Sequence, residues 1–139
     1  MRHVAAEIER RLRASGFALT SQRRAIVRHL AEQGGHWTPA QLRSALAGNP
    51  PMPSRATIYA TLALLRDLGL LQEVHVPGGE LLFDTNPSPH HHFLCRRCRQ
   101  LEDLPIPSLA VQLAHEGGDP PFSVERYSVI AEGLCGRCQ

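Results

Sequence analysis

Apolar positions in the first half of the chain repeat at helical spacing. Val4, Ile8 and Leu12 lie four apart, and Gly16 is placed to stop the helix they imply. Thr20 reads as the N-cap of a second helix running to about Glu32, with Ile26, Val27 and Leu30 inward and Arg23, Arg24 and Arg28 outward. Gly34-Gly35 ends that helix, and His36 and Trp37 follow in a loop. Thr38-Pro39-Ala40-Gln41 is a capping box with Pro at the first helical position, opening a short helix to about Ala47. After the Pro-rich loop Gly48–Pro53, Ser54 caps a helix that ends at Gly69 as a C′ glycine. Ile58, Leu62 and Leu65 form its buried stripe, leaving Arg55, Thr57, Tyr59 and Thr61 near the exposed N-terminal part. Leu70–Val76 and Glu80–Phe83 are strands joined across Pro77-Gly78-Gly79.

Helices followed by a hairpin make the winged-helix pattern, in which the last helix enters the major groove and offers its N-terminal side chains to base edges. A plain helical bundle is the alternative. Thr85-Asn86-Pro87-Ser88-Pro89 reads as a rigid linker. Beyond it come a strand over Pro89–Cys95, a second over Gln100–Leu104, a helix over Pro107–Glu116 with Leu109 and Leu113 as its apolar stripe, and a strand over Phe122–Ala131. The expected fold class is α+β. A winged-helix domain spans residues 1–84, a hinge 85–89, and a small α/β metal-binding domain 90–139, whose sheet edge and apolar helix suit dimerisation.

The chemistry concentrates in Pro89–Asp103, where three histidines precede a C-x-x-C pair, Cys95 and Cys98. A second pair, Cys135 and Cys138, follows after a gap of 36 residues, and these are all four cysteines. Two such knuckles fit a four-thiolate zinc site that pins the end of the chain onto its middle; two disulfides are the alternative reading. On a strand, His90 and His92 share one face while His91 points the other way with Phe93 and Cys95. With Asp84 and Asp103 nearby, a mixed imidazole and carboxylate set suits Fe(II), Mn(II) or Zn(II).

Composition adds an asymmetry. The 139 residues contain no Lys; residues 1–75 hold ten Arg against five acids, and residues 76–139 hold five Arg against eight. The basic half suggests a polyanion partner and the acidic half does not. No stretch is apolar enough to span a membrane and no signal pattern opens the chain, so a cytoplasmic protein with reduced, metal-binding cysteines is expected. Two other function classes remain open on residues alone. A non-haem iron enzyme uses two His and a carboxylate, yet no cosubstrate pocket or nucleophile motif is evident. A zinc-stapled interaction module would leave the histidines as a solvated run.

The combination of winged helix, linker, H-H-H-x-x-C-x-x-C, a carboxylate five residues later and a late C-x-x-C closely resembles the ferric uptake regulator family of metal-responsive bacterial repressors. Thr20-Ser21-Gln22-Arg23 resembles its T-x-Q-R helix start, and Ala56-Thr57-Ile58-Tyr59 with Leu62 its A-T-V-Y-x-x-L recognition helix. The resemblance implies a cytoplasmic homodimeric repressor, not an enzyme, with no membrane or small organic partner, that binds a pseudo-palindromic double-stranded operator. It implies structural zinc on Cys95, Cys98, Cys135 and Cys138, and a regulatory Fe(II) or Mn(II) on His36, Asp84, His90, His92 and Asp103. It implies base or phosphate contacts from Arg23, Arg24, Arg55, Thr57 and Tyr59. Asp at both carboxylate positions favours the peroxide-sensing branch, in which histidines at the places of His36 and His90 are oxidised. A manganese- or iron-uptake repressor is the alternative. Two departures stand out. His91 and Tyr127 occupy positions where many iron-uptake members carry an extra metal site, so that site is expected to be absent. Ala60 follows the tyrosine where Arg or Asn is common, which leaves the operator sequence open.

Overall fold

Capping chemistry sets the starts of three of the four helices that open the chain. In the computed structural model, which describes residues 2–105 and 116–139, these are α1 (Arg2–Ala14), α2 (Ser21–Gln33), α3 (Pro39–Leu46) and α4 (Arg55–Asp67). Thr20 Oγ1 accepts from the Arg23 amide at 3.2 Å and Ser54 Oγ from the Thr57 amide at 3.1 Å. Thr38 and Gln41 close a full capping box, each side chain taking the other's amide at 3.1 and 2.9 Å. Each cap contributes about 1 kcal/mol. Gly69, at φ +70°, ends α4: its amide bonds to the Arg66 carbonyl and the Leu70 amide to the Leu65 carbonyl, both at 2.9 Å.

The helices bury Leu12, Ile26, Val27, Leu42, Ile58, Leu62 and Leu65 in one core, where truncating a leucine to alanine costs roughly 2–5 kcal/mol. One expectation needs correction here. Thr61 is not near an exposed face but fully buried, and its hydroxyl has no hydrogen-bond partner among the described residues. It follows Ile58 by three residues and precedes Leu65 by four, which puts it on the same stripe. Arg24 and Arg28 lie largely outward as expected, with Glu9 of α1 at 3.8 and 3.7 Å from their guanidinium groups.

The expected loop at His36 is a two-residue strand, β1 (His36–Trp37), too short for any periodicity to reveal. It pairs with β3 (Leu81–Asp84), which pairs in turn with β2 (Gln72–His75), all antiparallel, in the order β1-β3-β2. Gly34 and Gly35, at φ +61° and +79°, let the chain leave α2 and enter this sheet at once. Thr85 then bonds to the Gly35 carbonyl through both its amide and its hydroxyl at 3.1 Å.

The second sheet runs β5-β4-β6, from β4 (His91–Cys95), β5 (Leu101–Leu104) and β6 (Ile130–Gly133), with β4–β5 antiparallel and β4–β6 parallel. Of the strand expected over Phe122–Ala131, only Ile130 and Ala131 fall in β6, and just before them the Val129 carbonyl accepts from the His92 amide at 3.0 Å. Phe122, Val124 and Tyr127 are exposed. The helix expected over Pro107–Glu116 lies, but for Glu116, outside the described residues. By contact density the chain divides into Met1–Pro87 and Ser88–Gln139. Among the described residues no helix is long and apolar enough to cross a membrane.

Replacing Thr61 by Val removes a buried hydroxyl that no acceptor or donor satisfies. Thr61→Val is expected to raise stability by about 1 kcal/mol, read as a higher urea midpoint at unchanged slope; a lower midpoint would contradict it.

Candidate metal centres and nucleic-acid face

The four cysteines converge. Their sulfurs lie within 4.8 Å of one another, and none forms a disulfide. Cys98 and Cys135 Sγ are 3.8 Å apart, the edge of a tetrahedron with zinc–sulfur bonds of about 2.3 Å and far from a disulfide's length of about 2.05 Å. The knuckles share one local geometry: the Arg99 amide bonds to the Cys95 carbonyl at 2.8 Å, and the Gln139 amide to the Cys135 carbonyl at 3.1 Å. Arg99 takes φ +64° to close the first of them. The parallel pairing of Cys95 with Gly133 brings the second knuckle alongside.

The thiols are electrostatically unequal. The Cys135 amide, 3.5 Å from Cys95 Sγ, and the Cys98 amide draw the Cys95 pKa down to about 5. Hydrogen bonding to the Cys135 sulfur, then burial, pushes Cys138 up to about 12. One sulfur is a ready thiolate while another holds its proton against its neighbours. That is the donor set of a cluster that becomes fully ionised only around a cation.

The histidine and aspartate set is built in two places. In the first unit, His36 faces Asp84 directly across the β1–β3 pair, with Nε2 3.2 Å from Oδ2. Asp84 is 1% exposed, and its Oδ1 accepts from the Asn86 amide at 2.9 Å, which fixes the carboxylate plane. In the second unit, Asp103 sits opposite His92 across β4–β5. Asp103 Oδ1 lies 3.1 Å from His90 Nε2 and 3.6 Å from His92 Nε2, and the two rings are 4.5 Å apart. Sharing of one face by His90 and His92 follows strand alternation.

Tautomer chemistry limits what this second cluster can do. His90 Nδ1 lies 2.6 Å from the Ser88 carbonyl oxygen, which only accepts, so Nδ1 carries the proton. In the neutral ring Nε2 is then a lone pair, and it points at another lone pair on Asp103 Oδ1. A proton or a metal cation must lie between them for the contact to be favourable. A second-sphere carbonyl that fixes the opposite nitrogen is the usual support of a histidine ligand.

His91 points away from this cluster. It is buried, its Nδ1 accepts from the Val129 amide at 3.1 Å, and its ring stacks on Tyr127 at 5.4 Å.

On the helical unit, Tyr59 is 48% exposed and the Arg55 guanidinium lies 5.7 Å from its ring centre. Thr57 is part of the Ser54 cap, and Arg23 bonds to the Ala18 carbonyl at 2.7 Å. A recess of about 300 Å³ between α3 and α4 is lined by Arg43, Ser44, Arg55 and Tyr59 over a floor that includes Ile58 and Pro39. Sequence reasoning did not single out Arg43, which lines this recess. Its only available signal was an exposed cation in the helix before the recognition helix.

The sequence profile of the ferric uptake regulator family matches residues 14–130. The chain belongs to the ferric uptake regulator family. The peroxide-responsive repressor PerR of Staphylococcus epidermidis is 33% identical over 130 residues, covering 92% of this chain and 85% of that protein. Among solved structures, the Helicobacter pylori ferric uptake regulator Fur matches with a TM-score of 0.74 at 16% identity, covering 96% of this chain and 93% of that one. PerR from Streptococcus pyogenes matches with a TM-score of 0.55 at 22% identity, over 98% and 93%. At those identities the structures establish the fold: a winged helix followed by a small mixed domain. Family membership is established by the profile and by the PerR relative.

Because Cys138 holds its proton up to about 12, a metal taken into the cysteine cluster at neutral pH must displace at least that proton. Apparent zinc affinity is therefore expected to rise at least about tenfold per pH unit between pH 6 and 8, measured by competition with a chromophoric chelator. A flat profile would contradict this.

Proposed function

We infer that the protein is a metal-dependent, DNA-binding transcriptional repressor of the ferric uptake regulator family that responds to peroxide. The observation that carries this is the gathering of His90, His92 and Asp103 round one point, where a carbonyl-oriented histidine nitrogen faces a carboxylate oxygen across a gap that a metal ion or a proton fills. The PerR relative supports the peroxide branch, as do aspartates at both carboxylate positions.

In this reading Cys95, Cys98, Cys135 and Cys138 hold structural zinc. His36, Asp84, His90, His92 and Asp103 together hold one regulatory ion, Fe(II) or Mn(II), drawing ligands from the winged-helix half, the edge of the hinge and the C-terminal half. All five donors are imidazole nitrogens or carboxylate oxygens, which suits those ions better than a thiolate set would. Residues 1–84 act on DNA and residues 90–139 hold metal and dimerise, with 85–89 as the hinge between them. A symmetric pair of winged helices implies a pseudo-palindromic operator. Arg55 and Tyr59 read bases, while Arg23, Arg24 and Thr57 meet phosphate. The family is one of regulators, and nothing in the donor set calls for a turnover role. The protein acts in the cytoplasm.

The chain's own residues do the coupling. Ser88 orients His90, the Asn86 amide orients Asp84, and the β-register places His36 opposite Asp84 and His92 opposite Asp103. Ligands drawn from both halves make one arrangement of the halves bind the ion more tightly than others. That difference, on the order of 1–3 kcal/mol, changes DNA affinity about 5–150-fold. Fe(II) held by His36, Asp84, His90, His92 and Asp103 would supply the reducing chemistry towards peroxide that the side chains alone lack. Addition of oxygen to His36 or His90 removes a ligand and releases the arrangement.

The test is peptide mass mapping of the zinc-loaded protein after Fe(II) loading without oxygen and a small addition of peroxide, with a Mn(II)-loaded control. Oxygen addition on His36 or His90 peptides with iron only, with loss of operator binding, is expected. Unmodified histidines and unchanged DNA binding would instead favour a manganese- or iron-uptake repressor.

A further inference from the structure

Cations in the second half of the chain are not scattered. Of the five arginines in residues 76–139, four (Arg96, Arg97, Arg99 and Arg137) fall in or beside the two C-x-x-C knuckles. Four thiolates around one divalent zinc carry a net charge of −2, so nearby guanidinium groups offset it. Two of them do something more directional. Arg97, inside the first knuckle, donates from Nη1 to the Cys138 carbonyl of the second at 2.7 Å. Arg137, inside the second knuckle, donates from Nη2 to the side-chain carbonyl oxygen of Gln100, just beyond the first. Each knuckle thus reaches across to the other. Gln100 is itself tied back through the Cys95 amide, which bonds to its carbonyl at 3.0 Å.

We propose that Arg97 and Arg137 form a reciprocal clasp that holds the two knuckles in register and slows the loss of zinc from the four cysteines. Each knuckle brings two sulfurs, so release requires the knuckles to part. The β4–β6 ladder joins them on one side only, through Cys95 and Gly133. The clasp links their tips. It also keeps the sulfurs gathered after one thiolate has let go, so that rebinding competes with escape. Arg96 provides the contrast: its guanidinium carries the same charge in the same knuckle but makes no hydrogen bond or ion pair among the described residues, and only its backbone amide is engaged, with Gly133. The clasp rests on the zinc reading and extends it to residues that are not ligands.

The test is the rate of zinc transfer from the reduced, zinc-loaded full-length protein to excess chromophoric chelator. Arg97→Ala and Arg137→Ala are expected to release zinc about three- to tenfold faster, and Arg96→Ala at the wild-type rate. Arg97→Gln, which keeps an N–H donor without the charge, is expected to fall between wild type and Arg97→Ala, and it supplies the result if an alanine variant does not fold. Equal rates in all variants would overturn the clasp. Acceleration by Arg96→Ala matching that of Arg97→Ala would overturn it too, since net charge alone would then explain the pattern. A wild-type protein without a tightly held zinc would instead overturn the zinc reading itself.

Discussion

A carboxylate oxygen and an imidazole nitrogen meet as lone pair against lone pair at Asp103 and His90. The Ser88 carbonyl holds one His90 proton on the far side of the ring, so the near nitrogen meets Asp103 favourably only when it is itself protonated or bound to a metal ion. In a neutral site this contact is repulsive, and a cation makes it attractive. The register between β4 and β5, the alternation that puts His90 and His92 on one face, and the turn at Ser88 all converge on that point. The first unit has a parallel construction on a smaller scale. Gly34-Gly35 turns the chain so that His36 meets a buried Asp84, whose other oxygen is already committed to the Asn86 amide.

The cysteine cluster does a different job with different chemistry. Soft sulfurs at tetrahedral spacing suit zinc, which has no redox chemistry of its own. The harder His and Asp set suits ions that do. Keeping the two donor types on separate residues lets one ion hold the fold while the other reports on the environment.

Much of this was legible in the sequence, for local reasons. Thr20, Thr38, Ser54 and Gly69 act within a few residues of themselves, so their caps could be read from spacing. The two C-x-x-C pairs and the alternation of His90 and His92 are likewise local. What escaped depends on distant partners. His36–Trp37 becomes a strand only because β3 lies beside it. Thr61 reads as polar and therefore exposed, yet its place on the apolar stripe buries it. Phe122–Ala131 has strand-like alternation, but among the described residues only its end, Ile130 and Ala131, pairs with β4. The mutual reach of Arg97 and Arg137 needs the parallel β4–β6 pair before it exists at all.

The central claim is that His36 and Asp84 from one unit, and His90, His92 and Asp103 from the other, serve one ion. Mn(II) binding to the zinc-loaded protein, followed by electron paramagnetic resonance, tests it most directly. A shared ion predicts one regulatory Mn(II) per chain, with His36→Ala and His90→Ala each weakening that same site and the double variant weakening it by less than the sum of the two single losses. Two Mn(II) ions per chain, with each substitution abolishing one and sparing the other, would contradict it.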